Sequence, residues 1–346
     1  MKKIALYGAI ILGVVTIWML SVLLPLSGVF ANLEPKLASS CERVDIFPGT
    51  EDLAINRKTN TVFVSATDRR SNDRGTTGGI FTFDLDKLDI VKRVSPSQMS
   101  DFQPHGISLW HGEDGETRLF VINHLLSGED AVEIFKVGPD GMLTHVDTIA
   151  FDAMTSPNDV HAVGPRQFYA TNDKGYKEGL LYVLEQYFAL PLASAVYFDG
   201  VNGGYVKKRL VYSNGINASP DGKTIYISEF LKRRISIFDR DIASGALTKR
   251  SSIKVNTAPD NIDVDLNGNL WVGGHSKVFD FLAHAKDASN FAPSHIIKID
   301  PVKVSVKDVF ISTEGEINGS SVGATHNGKL VVGAVFDGHV LVCPLK

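Results

Sequence analysis

Asn214-Gly215-Ile216-Asn217-Ala218-Ser219-Pro220-Asp221-Gly222, followed by Thr224-Ile225-Tyr226-Ile227-Ser228 and Arg234-Ile235-Ser236-Ile237-Phe238, is the stretch that decides the fold. Both apolar runs alternate with polar residues at the period of a β-strand. Between the polar start and the first run, Ser219 to Gly222 is a turn in which proline fixes one backbone angle and Asp-Gly completes the reversal. Turn, strand, short gap and second strand make part of a meandering blade. The same order returns along the chain. Polar pairs Glu51-Asp52, His105-Gly106, Asn158-Asp159, Asn214-Gly215, Asp260-Asn261 and Ser320-Ser321 each precede an apolar strand. Those strands are Val62-Phe63-Val64, Leu119-Phe120-Val121, Phe168-Tyr169-Ala170, Ile225-Tyr226-Ile227, Leu270-Trp271-Val272 and Leu330-Val331-Val332. They lie roughly 45 to 60 residues apart, the range of the larger propeller blades. The expectation is an all-β fold, a six-bladed β-propeller with short accessory helices. Polar groups at one phase of a circular repeat converge on its axis, and a set of carboxylate and amide oxygens there suits a hard cation such as calcium.

Composition sets the outer limits. The chain has 346 residues, 44% apolar and 21% charged, enough for a sizeable core in one closed domain. A formal net charge of -4 and the lack of a basic stripe argue against a nucleic-acid partner. The 31 glycines and 14 prolines suit many tight turns.

Three regions are predicted: residues 1–33 an N-terminal membrane segment, 34–40 a short linker, and 41–346 the propeller. Lys2 and Lys3 precede an uncharged stretch whose apolar part, Ile4 to Phe30, runs for about 27 residues, long enough to span a bilayer and longer than the usual apolar region of a cleaved signal. A signal anchor with the positive flank in the cytosol puts the propeller in the lumen or outside. Val29-Phe30-Ala31 also resembles a cleavage site, and cleavage after Ala31 gives a secreted protein instead. Cys41 and Cys343 bracket nearly the whole soluble chain. In an oxidising lumen they read as a disulfide clasping a circular fold, with two unrelated buried thiols as the alternative. Asn217 and Asn318 match the glycosylation acceptor pattern, although both lie close to the repeated polar positions.

Glu178 to Phe198 is strongly apolar, with Leu180, Leu181, Val183, Leu184, Tyr187, Phe188 and Leu190 at spacings a helix can use and Pro191 as a stop or kink. It reads either as a helix packed on one face or as an interfacial helix on a membrane or over a lipophilic entrance. Phe279, Phe281, Leu282 and Phe291 form a second such patch. Thr67 to Gly79 is the most polar and glycine-rich loop, read as mobile.

The chain resembles the paraoxonase/arylesterase family, on residues spread from the anchor to the last strand. They are Glu51-Asp52, Pro104-His105-Gly106-Ile107, Val121-Ile122-Asn123-His124, Asn158-Asp159, Val163-Gly164-Pro165, Thr171-Asn172-Asp173, Asn214-Gly215-Ile216-Asn217, Asp260-Asn261-Ile262, Leu270-Trp271-Val272-Gly273 and the two cysteines. No single tetrapeptide is specific; their order and spacing carry the resemblance. It implies a six-bladed propeller with two calcium ions in its tunnel. Glu51, Asn158, Asn214, Asp260 and Asn261 are then the ligands of a catalytic calcium, and Asp52, Asp159 and the carbonyl of Ile107 those of a deeper, structural one. It further implies that His105 takes a proton from water while His124 orients or relays for it, with Glu51 or Asp260 able to share that role. Turn capping is the plain alternative for any one Asp or Asn, and a satisfied channel group the plain alternative for either histidine.

Several positions depart from the family pattern. The Thr67–Gly79 loop carries Arg69, Arg70 and Arg74, Lys174 stands where a histidine is often seen, Gly274 where many members have a free cysteine, and His161 adds an imidazole beside Asn158-Asp159. An α/β-type serine hydrolase, a zinc cluster and a phosphate-binding loop are not expected. The leading expectation is a calcium-dependent hydrolase of lipophilic lactones and perhaps aryl esters. Its competitors are a sugar-lactone hydrolase of the gluconolactonase type and a non-catalytic propeller that binds lipid or protein.

Overall fold

A computed structural model describes residues 2–71, 78–99 and 101–345, and its strands form six four-stranded antiparallel sheets. Each innermost strand packs against the innermost strands of both neighbouring blades, first against sixth included, so the sheets close into a propeller. The innermost strands are Thr50–Asn56, Pro104–His111, Pro157–Ala162, Ser213–Ala218, Ala258–Val264 and Ser320–His326. All six repeated polar pairs fall on them.

The fourth blade shows why the sequence reads as it does. Its second strand, Thr224–Glu229, is buried along its whole length, whereas its outermost strand, Leu247–Lys254, exposes all but Leu247 and Ile253. A strand covered on both faces needs a continuous apolar run, and one at the rim needs only a few inward residues. Apolar residues from adjacent sheets interdigitate between blades, as where Tyr169, Ile216, Ile225 and Phe238 pack together.

The polar pairs reach the axis because every innermost strand is bulged there. Pairing with the second strand shifts register between Thr50 and Asp52, Pro104 and Ile107, Pro157 and Val160, Ser213 and Ile216, Pro259 and Ile262, and Ser320 and Val322. A bulge releases residues from the ladder and re-aims their side chains. Close approach of neighbouring strands adds a glycine requirement: a Cβ at Gly106 would lie 2.5 Å from the Asp159 Cα, and one at Gly215 2.6 Å from the Asp260 carbonyl oxygen.

The ends of the chain share the sixth blade. Glu42–Asp45 is its outermost strand, paired with His339–Pro344 in the register Glu42 to Val342 and Asp45 to His339. Cys41 and Cys343 form the disulfide beside this seam, across 302 residues. The segment 34–40 is held down rather than free, since Lys36 and Ile311 exchange backbone hydrogen bonds of 2.9 and 3.0 Å.

Three helices stand over one face: α1 (Lys2–Ser27), α2 (Gly179–Phe188) and α3 (Val278–Lys286). The 25 residues Lys3–Ser27 are long and apolar enough to cross a membrane. The last turns of α1 are packed on protein: Val22 and Leu26 are buried with Ala189, Val211, Phe230, Ala258 and Val278. The Trp18 indole donates to the Phe188 carbonyl at 3.0 Å, and Arg233 to the Pro25 carbonyl at 2.8 Å.

The expected helix over Glu178–Phe198 is shorter than its apolar pattern. It stops at Phe188 because Ala189 turns into the left-handed region at φ 50°, ahead of Pro191. Ala193–Phe198 is instead the third strand of the third blade and is largely buried, so only α2 of this stretch lies on the outer face. Residues 72–77 of the Thr67–Gly79 loop, Arg74 among them, lie outside the described residues.

Candidate active site

Adjacent residues on one bulged strand serve opposite ends of the tunnel. Glu51 faces an upper cavity of about 350 Å³ beneath the three helices, together with His105, Asn158, Asn214 and Asp260. Asp52 faces a lower chamber of about 200 Å³, together with Asp159, Ile107 and Ile216. A larger groove of about 770 Å³ crosses the outer parts of the first two blades near Lys87 and Asp140, far from these groups.

The upper oxygens are short of partners. Among the described residues, Glu51 Oε2, Asn158 Oδ1, Asn214 Oδ1 and Asn261 Oδ1 are buried without a hydrogen bond. Leaving a buried acceptor unmet costs about 1–3 kcal/mol and more when it is charged, so four together are a deficit of donors or of a cation. Glu51 Oε1 accepts from the Asn261 amide at 2.8 Å, and Asp260 Oδ2 receives His275 Nε2 at 2.9 Å. Burial works to raise Glu51, but His105, Arg69 and the Asn261 amide bring it down to about 2. Burial raises Asp260 to about 6, with His275 opposing. No group of three or more His, Cys, Asp or Glu side chains gathers as metal ligands among the described residues. The oxygen set is mixed instead, two carboxylates with three amides, and its chemistry fits calcium.

The lower carboxylates are saturated by backbone. Asp52 accepts from Leu53 N at 2.8 Å and Ile107 N at 2.7 Å, and Asp159 from Val160 N and Ile216 N, both at 2.7 Å. Each therefore ties one blade to the next. Burial pushes both well above the usual carboxylate range; Asp159 and Glu51 add repulsion at Asp52, and Glu51 and Asp260 at Asp159. A cation between them would relieve that repulsion.

His105 and His124 meet edge to face, with Nδ1 of the first 2.8 Å from Nε2 of the second. His124 Nδ1 lies 2.7 Å from Asp130 Oδ1, and Lys177 Nζ holds Asp130 Oδ2 at 2.8 Å. Burial opposes ionisation of Asp130, yet hydrogen bonds from His124 and Lys177 keep it below the usual carboxylate range. An ionised Asp130 takes the Nδ1 proton of His124, whose Nε2 then accepts from His105 Nδ1–H. That leaves His105 Nε2 facing the cavity, 3.5 Å from Glu51 Oε2. Burial lowers His105 below its ordinary value, with Glu51 opposing.

The wall above these groups is apolar, with Leu23 and Leu26 of α1, Tyr187 of α2 and Val278, Phe281 and Leu282 of α3. Tyr212 also lines it; burial pushes its phenol up to about 12, against the pull of Lys174, so it stays neutral. Lys174 pairs with Asp173 behind it.

A scan for families matches residues 45–345 to Arylesterase. Human serum paraoxonase/arylesterase 1 is 33% identical over 332 residues, 91% of each chain. The chain belongs to the arylesterase family. Chicken serum paraoxonase/arylesterase 2 is 34% identical over 277 residues, covering 78% of this chain and 77% of that one. Likeness to solved structures supports the fold of this family member: a Xanthomonas campestris gluconolactonase (TM-score 0.57, 16% identity, 90% of this chain and 92% of that) and an Agrobacterium tumefaciens regucalcin described as calcium-binding (TM-score 0.55, 12% identity, 90% and 94%).

The structure brings the sequence-predicted residues of this arylesterase-family chain together: five upper oxygen-bearing side chains, two lower carboxylates and two contacting histidines. Ile107 contributes its amide to Asp52. Asn217 and Asn318 use their side-chain amides internally, on Ile262 O and on Asp337 with Ala292 N. Sequence reasoning missed Asp130 and His275. Both face their partners across strand pairs: His124 is in register with Asp130, and His275 with Ala258, two residues from Asp260. Gly319-Ser320-Ser321-Val322-Gly323 has the letters of a serine nucleophile elbow. Its Ser321 instead sits inside a strand, with its hydroxyl donating to the Glu51 carbonyl at 2.5 Å.

Proposed function

We propose that this protein is a membrane-anchored, calcium-dependent hydrolase of lipophilic lactones and aryl esters. The observation that carries the reading is the cluster of buried, unpartnered oxygens from Glu51, Asn158, Asn214 and Asn261 beside the His105–His124–Asp130 relay. Glu51, Asn158, Asn214, Asp260 and Asn261 would hold the catalytic ion, and Asp52, Asp159 and the Ile107 carbonyl the structural one. When bound, calcium supplies the positive field that polarises an ester carbonyl and steadies the developing oxyanion. His105 Nε2 takes the proton of the attacking water, and His124 shares the resulting charge with Asp130. Asp260, oriented by His275, lines the same cavity and can share the base function. The apolar roof selects the acyl part of the substrate and excludes bulk water.

The seating of α1 supports an uncleaved signal anchor. Leu23 and Leu26 are cavity wall, and cleavage after Ala31 would remove them. The exposed apolar turns ahead of them support an entrance next to a bilayer, on the lumenal or extracellular side, where a lipophilic substrate concentrates.

The test is hydrolysis of a medium-chain lactone and an aryl ester by the full chain in detergent, with and without calcium, beside Asp260→Ala. Turnover that needs both calcium and Asp260 is expected. A folded, calcium-loaded protein without turnover on either substrate would transfer the reading to ligand binding. A preference for sugar lactones over long-chain ones would transfer it to the gluconolactonase type.

A further inference from the structure

The basic loop that departs from the family pattern delivers one of its arginines to the axis. Arg69 Nη1 donates to the carbonyls of Gly49 at 3.0 Å, Thr67 at 3.3 Å and Val335 at 3.4 Å, and Nη2 to Pro104 at 3.3 Å. Gly49 and Pro104 are the approaches to the two working strands: Glu51 N itself donates to the Gly49 carbonyl at 2.8 Å, and Pro104 immediately precedes His105. Gly49 has φ +77°, and a Cβ there would stand 2.1 Å from the Thr67 carbonyl oxygen and 2.7 Å from Arg69 Nη1, so the turn admits only glycine beside the guanidinium. Among the described residues its hydrogen bonds go to backbone carbonyls alone, so no carboxylate in contact neutralises its charge. That charge acts on Glu51, Asp260 and Asp52. Its neighbour Arg70 pins the same loop to the roof, donating to the His284 carbonyl of α3 at 2.7 Å and lying 4.5 Å above the Phe336 ring.

We propose that Arg69 is a built-in rival of the bound calcium: a fixed positive charge that steadies the axial carboxylates of the metal-free protein, positions Glu51 and His105 through Gly49 and Pro104, and holds calcium affinity below what the oxygen ligands alone would give. This rests on the calcium reading above. The sign follows from Coulomb's law, because one charge cannot attract the carboxylates without repelling a divalent cation among them. Its loss therefore has opposite effects on the two states. The metal-free protein loses stability, and the loaded one gains affinity. A residue that served only as a strut for four carbonyls would lower stability in both states and loosen the ligands.

The experiment titrates calcium into the chelator-stripped full chain in detergent by calorimetry, for wild type, Arg69→Gln, Arg69→Met and Arg69→Lys, and records the melting temperature of each with calcium and with chelator. Arg69→Gln, which keeps donors for the carbonyls, is expected to bind calcium about tenfold tighter or more and to lose more melting temperature in chelator than in calcium. Arg69→Met serves if the glutamine variant does not fold. Arg69→Lys, which keeps the charge, is expected to stay within about twofold of wild-type affinity. Unchanged or weaker calcium binding in the neutral variants, with equal melting losses in both conditions, would overturn the role of Arg69 and leave the calcium reading standing. Absence of calcium binding by wild type would overturn both.

Discussion

The two ends of the tunnel are lined by consecutive residues yet built on opposite terms. At the upper end, Glu51, Asn158, Asn214 and Asn261 each present a buried oxygen with no hydrogen-bond partner among the described residues, under a roof of apolar side chains. At the lower end, Asp52 and Asp159 are met by four backbone amides, two of them from neighbouring blades. Oxygens left open are available to a ligand, and oxygens bonded to the frame brace the frame. The bulge on each innermost strand allows one residue to do the first while the next does the second.

That contrast fails most visibly if Glu51→Gln is mild. Its loss of charge at the upper end is expected to lower kcat/KM by about a thousandfold, some 4 kcal/mol. Asp159→Asn should do the reverse. Exchanging a carboxylate oxygen for an amide weakens its bonds to Val160 N on its own strand and to Ile216 N of the next blade, and is expected to cost about 1–3 kcal/mol in urea unfolding. A large activity loss with unchanged stability would erase the distinction.

Smaller effects sharpen the picture. Asp130→Asn should lower kcat/KM about tenfold at neutral pH, since the relay loses the carboxylate that fixes the tautomers of His124 and His105. The pH profile gives the sign. His105 is held below its ordinary value, so the wild-type rate is retained at neutral pH and lost as pH falls through that lowered value; without Asp130 the acid limb moves lower still. Because Asp130 itself is held below the usual carboxylate range, its ion pair is intact throughout that limb. At the lower mouth, Arg57 pairs with Asp263 at 2.7 Å and is partly exposed. Arg57→Gln is expected to change stability by less than about 1 kcal/mol and activity not measurably, which makes it the control for the lower end.

The sequence carried the ring and its inner contents because both repeat: each blade restates the strand period, and each polar pair sits at the bulge. What did not repeat was illegible. Asp130 and His275 reach their partners by strand register, which no local motif records. The span from Glu178 to Phe198 misled because leucine, valine and phenylalanine at close spacing serve a buried strand as well as a helix, and left-handed Ala189 gives no sign in its side chain. Apolar residues of α1 likewise read the same toward lipid or protein, so the seat of Val22 and Leu26 on the propeller came only from the structure.

The seam of the sixth blade imposes a timetable on synthesis. Glu42–Asp45 leaves the ribosome ahead of all six innermost strands, but its partner, His339–Pro344, is made only after the first five blades. At about 5–20 residues per second, that strand waits on the order of tens of seconds with its edge unpaired. Cys41 likewise waits for Cys343, 302 residues later, as an unpaired thiol. The nascent chain thus stays an open ring until the sixth blade is made, with one strand and one sulfur left unpaired until the circle can close.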